Sequence, residues 1–339
     1  MHLDRQRMTD HRAAHDRLGP QSRRIGQTAG AMTIALLTTL TLSPAHADDI
    51  AISPAGLKAI GAIDARFQSY NIEMVEVTGG RFWKPYPRTA RAFDERDRYS
   101  ARPPIDLANS RLRLLAAALS PAYLRVSGTW ANATFFADAP GKPPPGFNSV
   151  LSRAQWRGVV EFARAVDAEI VTSFAISPGS RNADGVWQPD RAQQLVDTTC
   201  ALGGRIAAAE FMNEPTLAAT NGAPAGYDAM AYGRDFRIFR DWMRRAAPET
   251  LILGPGSVGY SSPPSGSGIT TRDLLAASGP GVDRFTYHHY NTISPRCGGH
   301  DDPAQALSGQ WLARTDATLV TYQTLRDAFE PGKPIWLTE

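Results

Sequence analysis

Ala208-Ala209-Glu210-Phe211-Met212-Asn213-Glu214-Pro215 reads as a short apolar strand that runs into an Asn-Glu-Pro corner. Pro215 cannot donate to a sheet and steers the residue before it away from the helical region, so the strand is expected to stop at Glu214. A carboxylate is then left at the carboxyl end of a strand, where a (β/α)8 barrel builds its active site. A second carboxylate, Glu339, ends a second apolar run, Lys333-Pro334-Ile335-Trp336-Leu337-Thr338-Glu339. Strand alternation predicts one face for Glu210, Met212 and Glu214, and one face for Ile335, Leu337 and Glu339. Both end carboxylates are therefore expected in the same mouth.

Outward from these runs, strands and helices alternate, which implies an α/β fold with a parallel sheet. Strands are expected over 68–77, 122–126, 170–176, 206–213, 250–253, 284–290 and 334–339. Between them, Ser152 and Gln155 form a capping box before the stripe Trp156, Val159, Val160, Ala163 and Val166. Pro189 opens a helix with Ala192, Leu195, Val196 and Thr199 on one face. Tyr232, Phe236, Phe239 and Met243 mark a third helix, and a fourth fills most of 303–329 until Gly332 stops it. The Pro/Ser/Gly segment over 261–268 reads as a loop. Seven strands fall one short of an eight-stranded barrel, whose open edges would leave backbone groups unpaired. The expectation is a (β/α)8 TIM barrel over 48–339, truncated after strand 7.

The 339 residues are 42% hydrophobic and 20% charged, enough for a large core. Residues 1–47 read as a leader: Arg23 and Arg24, an apolar run over 29–42, then Ala45-His46-Ala47 as a small-x-small cleavage site. The expected product, cut after Ala47, is secreted or periplasmic with no membrane anchor, since the run is short of the roughly 20 residues a span needs. The leader carries the whole net charge of +3, so the remainder is neutral and offers no basic domain for nucleic acid. Cys200 and Cys297 allow at most one bridge and supply no metal-ligand spacing.

A pair of carboxylates in one mouth suits hydrolysis of a glycosidic bond. One acid protonates the leaving oxygen while the other carboxylate attacks or activates water, and a separation of roughly 5–5.5 Å makes the enzyme retaining. Motifs for phosphate binding, zinc hydrolysis or a serine nucleophile are missing, and no cofactor or metal is implied. Tyr287-His288-His289-Tyr290-Asn291 ends a strand beside the pair. His289 has the parity of Phe285 and Tyr287 and is expected to contact sugar. Tyr290 is a candidate to orient the neighbouring carboxylate, given an irregular strand end. Arg125 reads either as a buried cation that keeps the carboxylates ionised or as a surface arginine.

The runs Leu119-Ser-Pro-Ala-Tyr-Leu-Arg125, Trp187 with the helix after it, Glu210-Phe-Met-Asn-Glu-Pro215, Tyr287-His-His-Tyr290 and Lys333-Pro-Ile-Trp-Leu-Thr-Glu339 occur in one order over most of the chain. In this they resemble the heparanase-like family, glycoside hydrolase family 79. The resemblance implies a barrel with a flanking β-sandwich, and retaining cleavage of β-glucuronides in uronic-acid-containing oligo- or polysaccharides. It implies Glu214 as acid/base and Glu339 as nucleophile, with Asn213 on the hydroxyl next to the reacting carbon. The chain departs from the family at Met212 and Thr338, where glycine is common, and the flanking sandwich would lie largely beyond Glu339. A cationic subsite for the uronate is sought among Lys84, Arg88 and Arg91. Two alternatives stay open: a barrel glycosidase acting on a neutral β-glycoside such as a xyloside, and a non-catalytic carbohydrate-binding barrel.

Overall fold

The computed structural model describes residues 53–59, 61–86, 98–259, 268–297 and 299–339. The expected leader, Arg88, Arg91 and nearly all of the 261–268 loop lie outside them. Contacts divide the chain into a unit that ends at Ile60 and a second unit, Gly61–Glu339. In the first, the described residues hold one 3-10 turn, Pro54–Gly56.

The second unit begins with β1 (Tyr70–Glu73), α1 (Met74–Thr78), the hairpin β2 (Gly80–Trp83) and β3 (Tyr99–Arg102), and α2 (Ser110–Ala117). Next come β4 (Ala122–Ser127), the short pair β5 (Thr134–Ala137) and β6 (Ser149–Ser152), and α3 (Arg153–Ala165). They are followed by β7 (Ala168–Ser173), α4 (Asp190–Ala201), β8 (Ile206–Glu210) and α5 (Ala229–Ala246). The last elements are β9 (Leu251–Val258), α6 (Thr271–Ser278), β10 (Arg284–His288), α7 (Gly309–Phe329) and β11 (Ile335–Leu337).

Seven strands pair in parallel in the order β1-β4-β7-β8-β9-β10-β11, each beside the next in the chain, with helices covering the outer face. This is the order of a (β/α)8 barrel with seven strands in place. The sheet curls, because its two end strands meet: Asn71 Nδ2 on β1 donates to Thr338 O just past β11 at 2.8 Å. Tyr123 of β4 also packs on Trp336 of β11, with ring centroids 4.8 Å apart.

Local signals explain the helices. Ser152 accepts from Gln155 N while the Gln155 side chain accepts from Ser152 N, the expected capping box. Trp156, Val159, Phe162 and Ala163 bury their stripe in the main core with Leu124, Val126, Trp187, Phe211 and Phe239, between sheet and helices. Around 150–250 Å² of buried surface for each large aromatic makes this layer the main apolar contribution to stability.

Several strand ends differ from expectation. The run over 68–77 breaks after Glu73 into the short helix α1. β8 stops at Glu210 rather than at Asn213, and Glu214 adopts a left-handed φ of +48°. Strand alternation therefore does not reach Met212, which packs in the outer core, or Glu214. Similarly, Ile335 faces the outer cluster of Leu275, Phe285 and Tyr322 while Trp336 packs toward the barrel interior, so simple alternation would aim Glu339 outward. Its carboxylate nevertheless reaches the mouth: the ladder continues past Leu337 with Thr338 N donating to Tyr287 O at 3.1 Å, and then turns irregular, with His289 N donating to Glu339 O at 2.8 Å. Two register shifts, across Ala207 and across Gly256, add a residue to β8 and β9 and change which side chains point inward.

Candidate active site

The inward face of β4 carries Tyr123, Arg125 and Ser127, since Leu124 and Val126 belong to the outer core. Arg125 is buried, and its guanidinium is the node of the mouth. Its Nη2 donates to Glu210 Oε2 and Asn213 Oδ1, both at 2.8 Å, its Nε donates to Glu210 Oε2 at 3.2 Å, and its Nη1 donates to Glu339 Oε1 at 2.6 Å. Of the two readings of Arg125, the structure adopts the buried cation. Burial lowers its pKa, but the charges of Glu210 and Glu339 and their hydrogen bonds raise it by more, so it stays charged.

Glu339 lies in the same network. Burial raises its pKa, but His288, Arg125 and hydrogen bonds from Tyr290 and Arg125 outweigh that, and the net shift is downward. Tyr290 OH donates to Glu339 Oε2 at 2.5 Å from an exposed ring, as the irregular end of β10 allows. Burial of the hydroxyl and the charge of Glu339 push the phenol pKa up, so it remains a donor.

Glu214 sits across from Glu339, with His288 between them. His288 Nδ1 lies 3.0 Å from Glu214 Oε1 and 3.6 Å from Glu339 Oε2. Here the structure differs from the parity expected for His289. His289 Nε2 pairs with Asn291 Oδ1 at 2.8 Å, and its neighbour reaches the carboxylates. The cause is the inward parity of β10: Phe285 and Tyr287 pack outward on Tyr322 of α7, with Tyr287 stacked at 4.5 Å, so His288 points in. Large aromatics occupy the strand–helix layer, and hydrophobicity cannot separate two faces that are both buried.

Asn213 is held by its own backbone. Asn132, in the turn after β4, accepts from Asn213 N and donates to Asn213 O, each at 2.9 Å, and also donates to Asn221 O at 2.9 Å. Asn221 Nδ2 in turn lies 3.5 Å from Glu214 Oε2. A fourth carboxyl, Glu73 at the end of β1, leans on Gly128; a Cβ there would meet Glu73 Oε2 at 1.8 Å. Burial first, then the charge of Glu339, raises the Glu73 pKa to about 8, against an opposing pull from Arg125.

Glu73, Glu210, His288, Asn132 and Asn221 were not singled out from the sequence. Glu210 carried a legible signal: a lone carboxylate in the run Ile-Ala-Ala-Ala-Glu needs a buried cation, and Arg125 is the lone cation of another apolar strand. Glu214, His288 and Glu339 each offer one ligand atom within 4.8 Å of the others, but a cation there would sit against Arg125. Cys200 and Cys297 are free and exposed. Among the described residues no helix is long and apolar enough to cross a membrane.

No family model matches the chain. Heparanase from Mus musculus is 25% identical over an alignment of 282 residues that takes in 69% of this chain and 50% of that protein. Heparanase from Rattus norvegicus is 24% identical over the same shares. The chain thus spans about half the length of the heparanases it matches. Among solved structures, AbfB, a family 51 α-L-arabinofuranosidase from Bifidobacterium longum, aligns with a TM-score of 0.48 at 14% identity, covering 80% of this chain and 55% of that one. The endo-β-1,4-mannanase from Thermotoga petrophila aligns with a TM-score of 0.45 at 14% identity, covering 80% and 59%. By sequence, this chain is similar to the heparanases over 69% of its length.

Proposed function

We propose that the chain carries the catalytic centre of a retaining glycoside hydrolase acting on β-glucuronides, with Glu214 as acid/base and Glu339 as nucleophile. The observation that carries this reading is the convergence of the two carboxylates on His288, with an oxygen of each within 4.8 Å of the other. That spacing suits direct attack on the sugar better than the wider gap that admits a water, roughly 6.5–9.5 Å.

The surroundings divide the labour in the same way. Arg125 and Tyr290 hold Glu339 ionised and oriented, as a nucleophile needs. Glu339 attacks the anomeric carbon as the bond to the leaving oxygen breaks, and the Glu214 proton goes to that oxygen. Water, deprotonated by Glu214, then hydrolyses the glycosyl ester and frees Glu339. Asn213 Oδ1 is taken by Arg125, which leaves its amide nitrogen to donate to the hydroxyl beside the reacting carbon.

The β-glucuronide part rests on the likeness to heparanase and on the motifs around both carboxylates. A uronic-acid-containing saccharide as substrate, a secreted or periplasmic location and a leader cut after Ala47 belong to the same reading. One observation favours a second reading, a neutral β-glycoside such as a xyloside: every nitrogen of the buried Arg125 already donates to a protein oxygen, so this cation is committed to the protein first. Turnover of aryl β-glucuronide against aryl β-xyloside decides between them. Glu339→Ala should abolish turnover, and Glu214→Ala should spare aryl substrates with activated leaving groups far more than oligosaccharides. Equal loss on both substrates in Glu214→Ala would remove the acid/base assignment.

A further inference from the structure

We infer that His288 is a positioning residue that fixes which oxygen of Glu214 carries the acid proton; this rests on the glycosidase reading above. Three groups from outside β10 face the ring. Nδ1 looks at Glu214 Oε1 at 3.0 Å and Glu339 Oε2 at 3.6 Å, while Nε2 lies 3.5 Å from Arg125 Nη2. A guanidinium can only donate, and it stays charged, so a proton on Nε2 would point at another donor. A ring with one proton therefore carries it on Nδ1, where the acceptors are, and a ring with two still donates from Nδ1.

That tautomer has a consequence for the acid. Were Nδ1 bare, a protonated Glu214 could hold its proton on Oε1 and donate it to the ring, aimed into the protein. Arg125 disfavours that arrangement by opposing its required Nε2–H. With Nδ1–H donating to Oε1, the acid proton belongs on Oε2, whose described polar contact is the long 3.5 Å approach of Asn221 Nδ2. Oε2 is thus free to give the proton to the leaving oxygen, and Oε1 remains pinned. The chain Arg125–His288–Glu214 runs from the residue that holds the nucleophile to the one that protonates the leaving group, and needs no movement between the two.

The test has two arms. Long-range proton–nitrogen NMR on the 15N-labelled chain, with His288→Asn used to assign the signal, reads the tautomer whether or not any glycoside is turned over. A proton on Nδ1 at neutral pH is expected, and a bare Nδ1 overturns the inference. In the second arm, His288→Ala should reduce turnover of oligosaccharide roughly 10–100-fold more than turnover of an activated aryl glycoside, part of what a general acid contributes. His288→Asn, whose amide nitrogen overlays Nδ1, should recover most of that difference. Equal loss on both substrates, or no recovery in His288→Asn, overturns the positioning role. Absence of any glycosidase activity in the parent protein would instead defeat the functional reading, and the tautomer result would still stand.

Discussion

Glu73→Gln should flatten the loss of stability that the protein suffers as pH rises. In the folded chain the Glu73 carboxyl is pushed from 4.5 to about 8, by burial first and then by the charges of Glu339 and Glu214, with Arg125 opposing. Between those two values the folded state keeps a proton that the unfolded state has released. The native state then binds more protons, so stability falls with rising pH through this window and levels off above the folded pKa. A displacement of ~3.5 units at ~1.36 kcal/mol per unit sets a ceiling of about 5 kcal/mol on the total loss. Glutamine has the same shape and no proton to lose. Urea denaturation at pH 4.5, 7 and 9 provides the measurement. The two proteins should differ by no more than ~1 kcal/mol at the lowest pH, with the variant gaining several kcal/mol over the parent by pH 9. The contribution from Glu330 is common to both proteins and drops out of the difference. Parallel stability curves across that range would show that Glu73 is not a buried neutral acid.

Three further substitutions probe the mouth. Tyr290→Phe removes the hydroxyl that donates to Glu339 from an exposed ring; kcat/KM should fall roughly 10–100-fold while stability moves by less than ~1 kcal/mol, and unchanged kinetics would contradict its role. Arg125→Leu leaves Glu210 and Glu339 buried without their cation, so denaturation should record a loss of about 3–5 kcal/mol and activity should vanish. Gly128→Ala forces a Cβ onto Glu73 Oε2 at a backbone φ of +90°; it should destabilise by at least ~2 kcal/mol, and a Glu73→Ala background should relieve the steric part but not the backbone strain.

The chain's periodicity and punctuation were enough for its architecture. Ser152 with Gln155, Pro189, Gly332 and the stripe from Tyr232 to Met243 are local signals, and each acts within a turn or two of its own position. They marked the seven parallel strands in order and four of the helices, but not the β2–β3 hairpin, the β5–β6 pair or α1, α2 and α6, and the Asn-Glu-Pro corner marked Glu214 as a strand-end carboxylate. Glu339 was legible as the carboxylate that ends a second apolar run. What stayed hidden was the direction of side chains at the mouth. In a barrel sheet both faces are buried, so an apolar residue such as Phe285 or Tyr287 does not announce which way it points, and the choice between His288 and His289 turned on that. The extra residues at Ala207 and Gly256 move parity by one, and the left-handed turn at Glu214 takes it off the strand path.

By itself the sequence determined a parallel αβ layering with two carboxylates at strand ends. Only the tertiary structure decided that Arg125 binds Glu210, Asn213 and Glu339 together, that His288 bridges the pair, and that Glu73 crowds against Gly128. Local preferences are written in neighbouring residues. Partners separated by 85 to 214 positions are chosen by register and by the requirement that every buried charge find its counter-charge.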